Sequence, residues 1–99
     1  MKLVNIKSMK AFPYEERGKN VFFSSEKFKL RIIELNPDGK MPLCQMESNV
    51  IFYVVEGETE VTVNDETKLL SEGECLISEP GTFSMRSKNG VRILGIQIL

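Results

Sequence analysis

The sequence has no histidine, and only two of its 99 residues, Cys44 and Cys75, are cysteine. Without histidine the chain cannot form a Ser-His-Asp or Cys-His catalytic centre, an imidazole proton shuttle or a metal site built on imidazole ligands. The two cysteines do not have the spacing of a zinc motif, and they are too few for the disulfide framework of a small secreted domain. We therefore expect two free thiols and a cytoplasmic protein.

Long apolar runs and a strong net charge are also missing. The longest apolar run, Val50 to Val55, is far shorter than the ~20 residues that span a bilayer, and residues 1–7 carry no signal-like stretch. The formal net charge is −1, so we expect neither a nucleic-acid partner nor a membrane. Residues 47–79 nevertheless hold nine acidic and one basic side chain. We expect a solvated acidic face there, with a patch for a cationic partner as the alternative.

The pattern along the chain predicts an all-β protein. Short β-prone runs alternate with Gly, Pro, Asn and Asp, which is typical of a sandwich or barrel of about eight strands, with at most a helical turn in residues 8–18. Residues 28–32 alternate as a half-buried strand whose lysines and Arg31 face water. The run Val50–Val55 is apolar on both faces and is expected to end at Glu56–Glu58. An irregular alternation near Gly95 predicts a bulge.

The glycine and proline spacing between Asn36 and Asn89 resembles the cupin superfamily. Pro37-Asp38-Gly39 and the run Tyr53 to Glu58 fit the frame of that family's first motif, and Gly73 to Gly81 fits its second. The resemblance implies a single all-β domain over residues 1–99, a cupin-type antiparallel β-barrel (double-stranded β-helix or jelly roll) similar to RmlC-like proteins. Residues 1–20 would then be an N-terminal segment that packs on the barrel or on a partner subunit.

The metal ligands of that family are absent from this sequence. Alignment on Gly57 and Gly81 places Cys44 and Met46 at the two histidines of the first motif, Val50 at its glutamate and Ser84 at the histidine of the second motif. Valine supplies no donor atom and serine supplies a poor one. We therefore predict no metal, no cofactor and no catalytic residue, which argues against a metal-dependent enzyme.

The same positions are expected to face the barrel interior. With two neighbours on their strand they outline a candidate ligand pocket, and its six residues are Cys44, Met46, Val50, Phe52, Val54 and Ser84. These side chains either fill the barrel as core or line a pocket for a small apolar or mixed ligand. The favoured function is a small-molecule-binding or sensing domain of unknown ligand. The alternatives are a metal-independent, isomerase-like enzyme and soft-metal (copper) binding through Cys44 and Met46.

The apolar side chains exceed what one small barrel can hold. If Val50, Phe52 and Val54 point inward, then Ile51, Tyr53 and Val55 on the same strand point outward. Soluble monomers rarely leave such a patch in water, and cupin-like proteins often pair, so we predict a homodimer. The alternative is an N-terminal segment that folds back over its own barrel and covers the patch.

Overall fold

A computed structural model describes residues 1–99 as one short 3₁₀ helix followed by eight strands. The helix is Tyr14–Asn20, and the strands are β1 Val21–Ser24, β2 Phe28–Leu35, β3 Gly39–Met46, β4 Asn49–Val63, β5 Glu66–Ser71, β6 Cys75–Ser78, β7 Gly81–Ser87 and β8 Val91–Ile98. All paired strands are antiparallel, which confirms the all-β prediction. No helix of the chain has the length and apolar character needed to cross a membrane.

Strand β4 joins two curled sheets because it is long enough to belong to both. Its first half pairs with β8 and β6, and its second half pairs with β7 and β5. The first sheet continues from β8 to β2 and β1, and the second continues from β7 to β3. The prediction that this strand ends at Glu56–Glu58 is wrong. The register shifts between Val54 and Glu56, and Gly57, at a φ of 86°, lets the chain bend there and continue.

The core lies between the two sheets. Val50, Phe52 and Val54 are at most 2% exposed and point inward, as the period-two pattern of β4 predicts, whereas Tyr53 between them is 41% exposed. The Phe52 ring meets the Phe83 ring edge to face, with 5.8 Å between their centroids. Eleven buried side chains form the core cluster, namely Leu35, Met41, Val50, Phe52, Val54, Val61, Leu70, Phe83, Met85, Val91 and Ile93.

Strand β8 carries no bulge, so that prediction is also wrong. It pairs without a break with β2 on one side, and Gly95 takes an inward position between Arg31 and Phe52. The apparent slip in its alternation arises because an inward position holds a residue without a side chain. A Cβ atom at Gly95 would lie 3.1 Å from the Cγ atom of Arg31, so the glycine leaves room for the arginine stem.

The N-terminal segment lies on the outer face of the first sheet. The Arg92 guanidinium donates hydrogen bonds to the carbonyl oxygens of Ile6 (3.0 Å) and Met9 (2.6 Å) and pairs with Glu34 at 3.0 Å. On that face Ile32 shares a cross-strand row with Leu94, yet it is only 1% exposed and stands outside the core cluster. We infer that the chain's own N-terminal segment covers this part of the face.

The barrel is open along one side. No hydrogen-bonded pairing joins β2 to β3, so the two sheets part there. The segment before β1 crosses this opening and is fastened by the buried Asn20. Its side-chain oxygen accepts a hydrogen bond from the Phe12 amide at 2.7 Å, and its side-chain nitrogen donates one to the Phe12 carbonyl at 3.0 Å. Asn20 thus pairs with Phe12 as a neighbouring strand would.

Candidate functional site

A cavity of about 270 Å³ lies between the sheets, at the open side of the barrel. Strands β2, β3, β4 and β8 form its walls, and the segment around the 3₁₀ helix forms its rim. Its lining residues are Phe12, Tyr14, Arg17, Asn20, Arg31, Ile32, Ile33, Glu34, Leu35, Met41, Cys44, Gln45, Met46, Val50, Phe52, Gly95, Ile96 and Gln97. The cavity is mostly apolar, with a few polar groups, which is the usual composition of a small-molecule site.

Strand β3 supplies the sulfur-bearing wall because its register shifts. Met41 faces inward, and a regular strand would next turn Leu43 and Gln45 toward the same side. The pairing with β7 is irregular between Met41 and Cys44, and beyond it Cys44 and Met46 are the half-buried residues. Pro42 lies within this irregular stretch, and a residue that cannot donate a backbone hydrogen bond is suited to a bulge.

The six residues predicted for the pocket do not all meet. Cys44, Met46, Val50 and Phe52 line the cavity. Val54 is fully buried in the core further along β4 and does not reach it. The interior of the barrel is therefore packed core around Val54 and an open cavity at the β2–β3 side.

Ser84 lies outside the barrel interior, contrary to its predicted placement. On β7 the side chains of Phe83 and Met85 are buried, so alternation turns Ser84 outward to its cross-strand partner Thr62. The error is one residue in the motif frame. Counting from Pro80 instead of Gly81 places Met85 at the position of the second-motif histidine, in agreement with its burial.

Two arginines that the sequence does not predict at this site line the cavity. The alternation of β2 predicts Arg31 on the solvent face, but its register opposite Gly95 places it on the inner face, so that prediction is wrong. Arg17, at the rim, donates a hydrogen bond to the Tyr14 carbonyl at 3.1 Å, and its guanidinium lies 4.2 Å from the centroid of the Tyr14 ring. The sequence does contain a signal for this placement of Arg31. The apolar residues Ile33 and Leu35 follow it at two-residue intervals, so all three lie on the same face of β2.

The Arg31 guanidinium has no partner in the protein. None of the three ion pairs and none of the side-chain hydrogen bonds involves it, and its nitrogen atoms remain open to water although the residue is half-buried. Glu34 is the one carboxylate among the lining residues, and it pairs with Arg92. Burial, and then the like charge of Arg17, lower the pKa of Arg31.

The Cys44 thiol lies in the field of both arginines. Burial raises its pKa above the ordinary value for cysteine, and the charges of Arg17 and Arg31 oppose that rise. Arg31, which the alternation of residues 28–32 predicts in water, is thus a cation that acts on this thiol. The sulfur is protonated at neutral pH and serves as a weakly polar part of the wall.

Comparison with known proteins agrees with this architecture. A family model described as "Cupin domain" matches residues 31–84, which is more than half of the chain. The chain belongs to the cupin superfamily. No curated protein matches its sequence.

Solved structures similar to this cupin include uncharacterised and varied proteins. TT1209 from Thermus thermophilus superposes with a TM-score of 0.83 at 22% identity, covering 99% of this chain and 97% of its own. An RmlC-like cupin protein from Desulfovibrio desulfuricans gives 0.81 at 21% identity, covering 99% and 96%. The EutQ protein of Clostridium difficile gives 0.69 at 13% identity, covering 79% of this chain and 64% of its own. At these identities the likeness is one of fold.

The residues of this cupin do not fit the metal that its superfamily implies. The first-motif positions carry a thiol, a thioether and a valine, and the second-motif position carries Ser84 or, in the corrected frame, Met85. None of these is the imidazole or carboxylate donor that a hard divalent metal requires. No group of three or more histidine, cysteine, aspartate or glutamate side chains lies close enough together to hold a metal ion.

Proposed function

We propose that this cupin is a metal-independent small-molecule-binding or sensing domain and that the cavity between its sheets is the binding site. The observation that supports it is an open apolar cavity into which a half-buried, unpartnered arginine points. A cavity meant only as core would be filled with side chains, because protein interiors are close-packed. The free thiols of Cys44 and Cys75 suit a reducing compartment, and we propose the cytoplasm.

Ligand binding can be followed on the two cysteines of the same molecule. Cys44 lines the cavity and Cys75 is exposed on β6, so a bound ligand should slow alkylation of Cys44 and leave Cys75 unchanged. Even without ligand, Cys44 should react more slowly because burial raises its thiol pKa. The measurement is mass spectrometry of the alkylated peptides, across a panel of sugars, nucleotides, fatty acids and aromatic acids.

The same panel is expected to raise the melting temperature. A ligand at 100 times its Kd adds about 2.7 kcal/mol of stability, which raises the melting temperature of a domain of this size by roughly 11–22 °C. If no class of compound shifts the melting temperature or protects Cys44, the proposal is wrong. Turnover of a bound compound would instead favour the metal-independent enzyme.

Soft-metal binding is a second candidate, favoured by the sulfur atoms on one wall. Met41, Cys44 and Met46 all line the cavity, and thiolate and thioether donors suit Cu(I). Titration with Cu(I) under reducing conditions should then give one equivalent bound, and Cys44→Ser should abolish it. Methionine is also a common filler of cores, so we place this candidate second.

We propose that the outer face of the first sheet pairs with a second copy of the chain. Its row across β6, β4 and β8 joins Ile77, Ile51 and Ile96, and Ile77 is 76% exposed. The next row contains Tyr53, at 41% exposure. The N-terminal segment covers only the Ile32 side of this face, and the rest is an apolar surface of the kind that a two-fold contact buries.

Light scattering should therefore give about twice the monomer mass of 11.3 kDa. Tyr53→Glu is expected to return the mass toward the monomer, because a carboxylate would be buried without a partner. Leu69→Glu is the matched control, since Leu69 is 59% exposed on β5 of the other sheet. Alkylation of Cys75, the cross-strand partner of Tyr53, should become faster in Tyr53→Glu. A monomer in the unaltered protein would refute this interface.

A further inference from the structure

The chemistry of the cavity lining indicates which kind of ligand it takes. Arg31 is charged at any physiological pH, the residue is half-buried, and its guanidinium has no carboxylate, carbonyl or other acceptor of the protein as a partner. Removing a cation from water is unfavourable unless an opposite charge or acceptors replace the water. A protein whose formal net charge is −1 thus keeps two arginines and no free carboxylate at this cavity.

The protein holds Arg31 in place for a ligand better than it would hold a surface arginine. The residue lies on β2, paired with β8 on one side and β1 on the other, so its backbone is fixed by the sheet. Gly95, its cross-strand partner on β8, leaves room for its stem on the inner face. A charged group on a rigid strand binds with less loss of conformational entropy than one on a loop.

Arg17 supplies a second cation at the rim. The Tyr14 carbonyl and ring hold its guanidinium, at 3.1 Å and 4.2 Å respectively, over the mouth of the cavity. Both arginines line the same cavity, and the like charge of Arg17 contributes to the lowered pKa of Arg31. An anion between them would relieve that repulsion.

The other walls are suited to an apolar body. Met41, Val50 and Phe52 are core side chains that also line the cavity, and the amide of Gln97 is a further polar group there. A phosphate group, with up to two charges and three terminal oxygens, would require more donors, such as a cluster of backbone amides, than these walls offer. The planar guanidinium fork suits a single carboxylate.

We propose that the cavity binds a small monocarboxylate, with the carboxylate between Arg31 and Arg17 and an apolar alkyl or aromatic body against Met41, Val50 and Phe52. This inference rests on the proposed function of the cavity as a binding site. It goes further by naming the charge and shape of the ligand and the two residues that select for the charge.

The test compares ligands that differ only in charge. Hexanoate with hexanamide, and benzoate with benzamide, are titrated by calorimetry on the full-length protein. Loss of a charge-assisted hydrogen bond weakens binding by about tenfold or more, so each amide should bind at least that much more weakly than its acid. Phenyl phosphate tests the other anion and is expected to bind more weakly than benzoate.

Substitutions of the two arginines show which residue produces the preference for the acid over the amide. Arg31→Gln should remove the preference for acid over amide, Arg17→Gln should reduce it, and Arg31→Lys should restore part of it. Arg86→Gln is the matched control, because Arg86 is an exposed arginine outside the cavity, and it should leave the preference unchanged. Melting temperatures of all variants show that each is folded.

The outcomes separate this inference from the proposed function. If acid and amide bind equally well and protect Cys44 equally, the cavity is a binding site but the carboxylate inference is wrong. If phenyl phosphate binds more tightly than benzoate, the class of anion is wrong. If no probe binds and none protects Cys44, the carboxylate inference is wrong. The panel of sugars, nucleotides, fatty acids and aromatic acids then decides whether the cavity is a binding site at all. Preference for the acid that disappears in Arg31→Gln supports the inference.

Discussion

Gly57→Ala is expected to lower the free energy of unfolding by about 4 kcal/mol or more, an exceptional loss for a single methyl group. Gly57 has a φ of 86°, and a Cβ atom there would collide with the carbonyl oxygen of Gly90 and lie 3.0 Å from the Cα atom of Val91. Both contacts are with backbone, so β4 and β8 would have to separate where β4 bends. Urea denaturation followed by circular dichroism measures the loss.

Gly73→Ala is the control that separates the two causes. Gly73 has nearly the same φ, 83°, but a Cβ atom there meets nothing within 4 Å. Its substitution should therefore cost only the left-handed backbone conformation, roughly 1 kcal/mol. Equal losses in the two variants would show that the close approach of the strands at Gly57 contributes nothing.

Phe83→Ala is expected to destabilise the protein by about 3–5 kcal/mol. The Phe83 side chain is fully buried and packs edge to face on Phe52, so its removal leaves a cavity that two paired sheets cannot close. Against a total stability of about 5–15 kcal/mol, the melting temperature should fall by roughly 15 °C or more.

Phe23→Ala is the matched control for that loss. Phe23 is 37% exposed on the edge strand β1 and stacks on Phe28, with 5.4 Å between ring centroids. Its removal should cost no more than about 1.5 kcal/mol. A larger loss at Phe23 than at Phe83 would contradict the core described here.

The sequence predicted the strands and the inward face of β4, because period-two alternation and turn residues are local signals. The inward orientation of Val50, Phe52 and Val54 could be predicted without knowledge of distant parts of the chain. The placement of Arg31 did require such knowledge, because the alternation in β2 defines two faces of the strand but does not show which of them faces the core. The N-terminal segment covers the other face, and Ile32 is therefore buried on the outer side. The covering segment lies some 25 residues away in sequence, so the residues of β2 alone do not indicate that their outer face is covered.

The candidate site was predictable only where the motif frame held. Cys44 and Met46 were placed at the cavity by their distance from Gly57, and the structure has them there. Ser84 was placed by counting from Gly81, and a difference of one residue in that turn moved it to the opposite face of β7. In a strand an error of one position always exchanges inside for outside, so motif counting is least safe across turns.

The bulge in β3 determines which side chains make the cavity wall. If the strand continued in regular alternation from Met41, Leu43 and Gln45 would face the ligand and Cys44 and Met46 would face solvent, without a single change of residue type. A wall of thiol and thioether would become one with an amide. The gain or loss of a bulge at this strand is therefore a route by which one barrel scaffold can exchange one class of ligand for another.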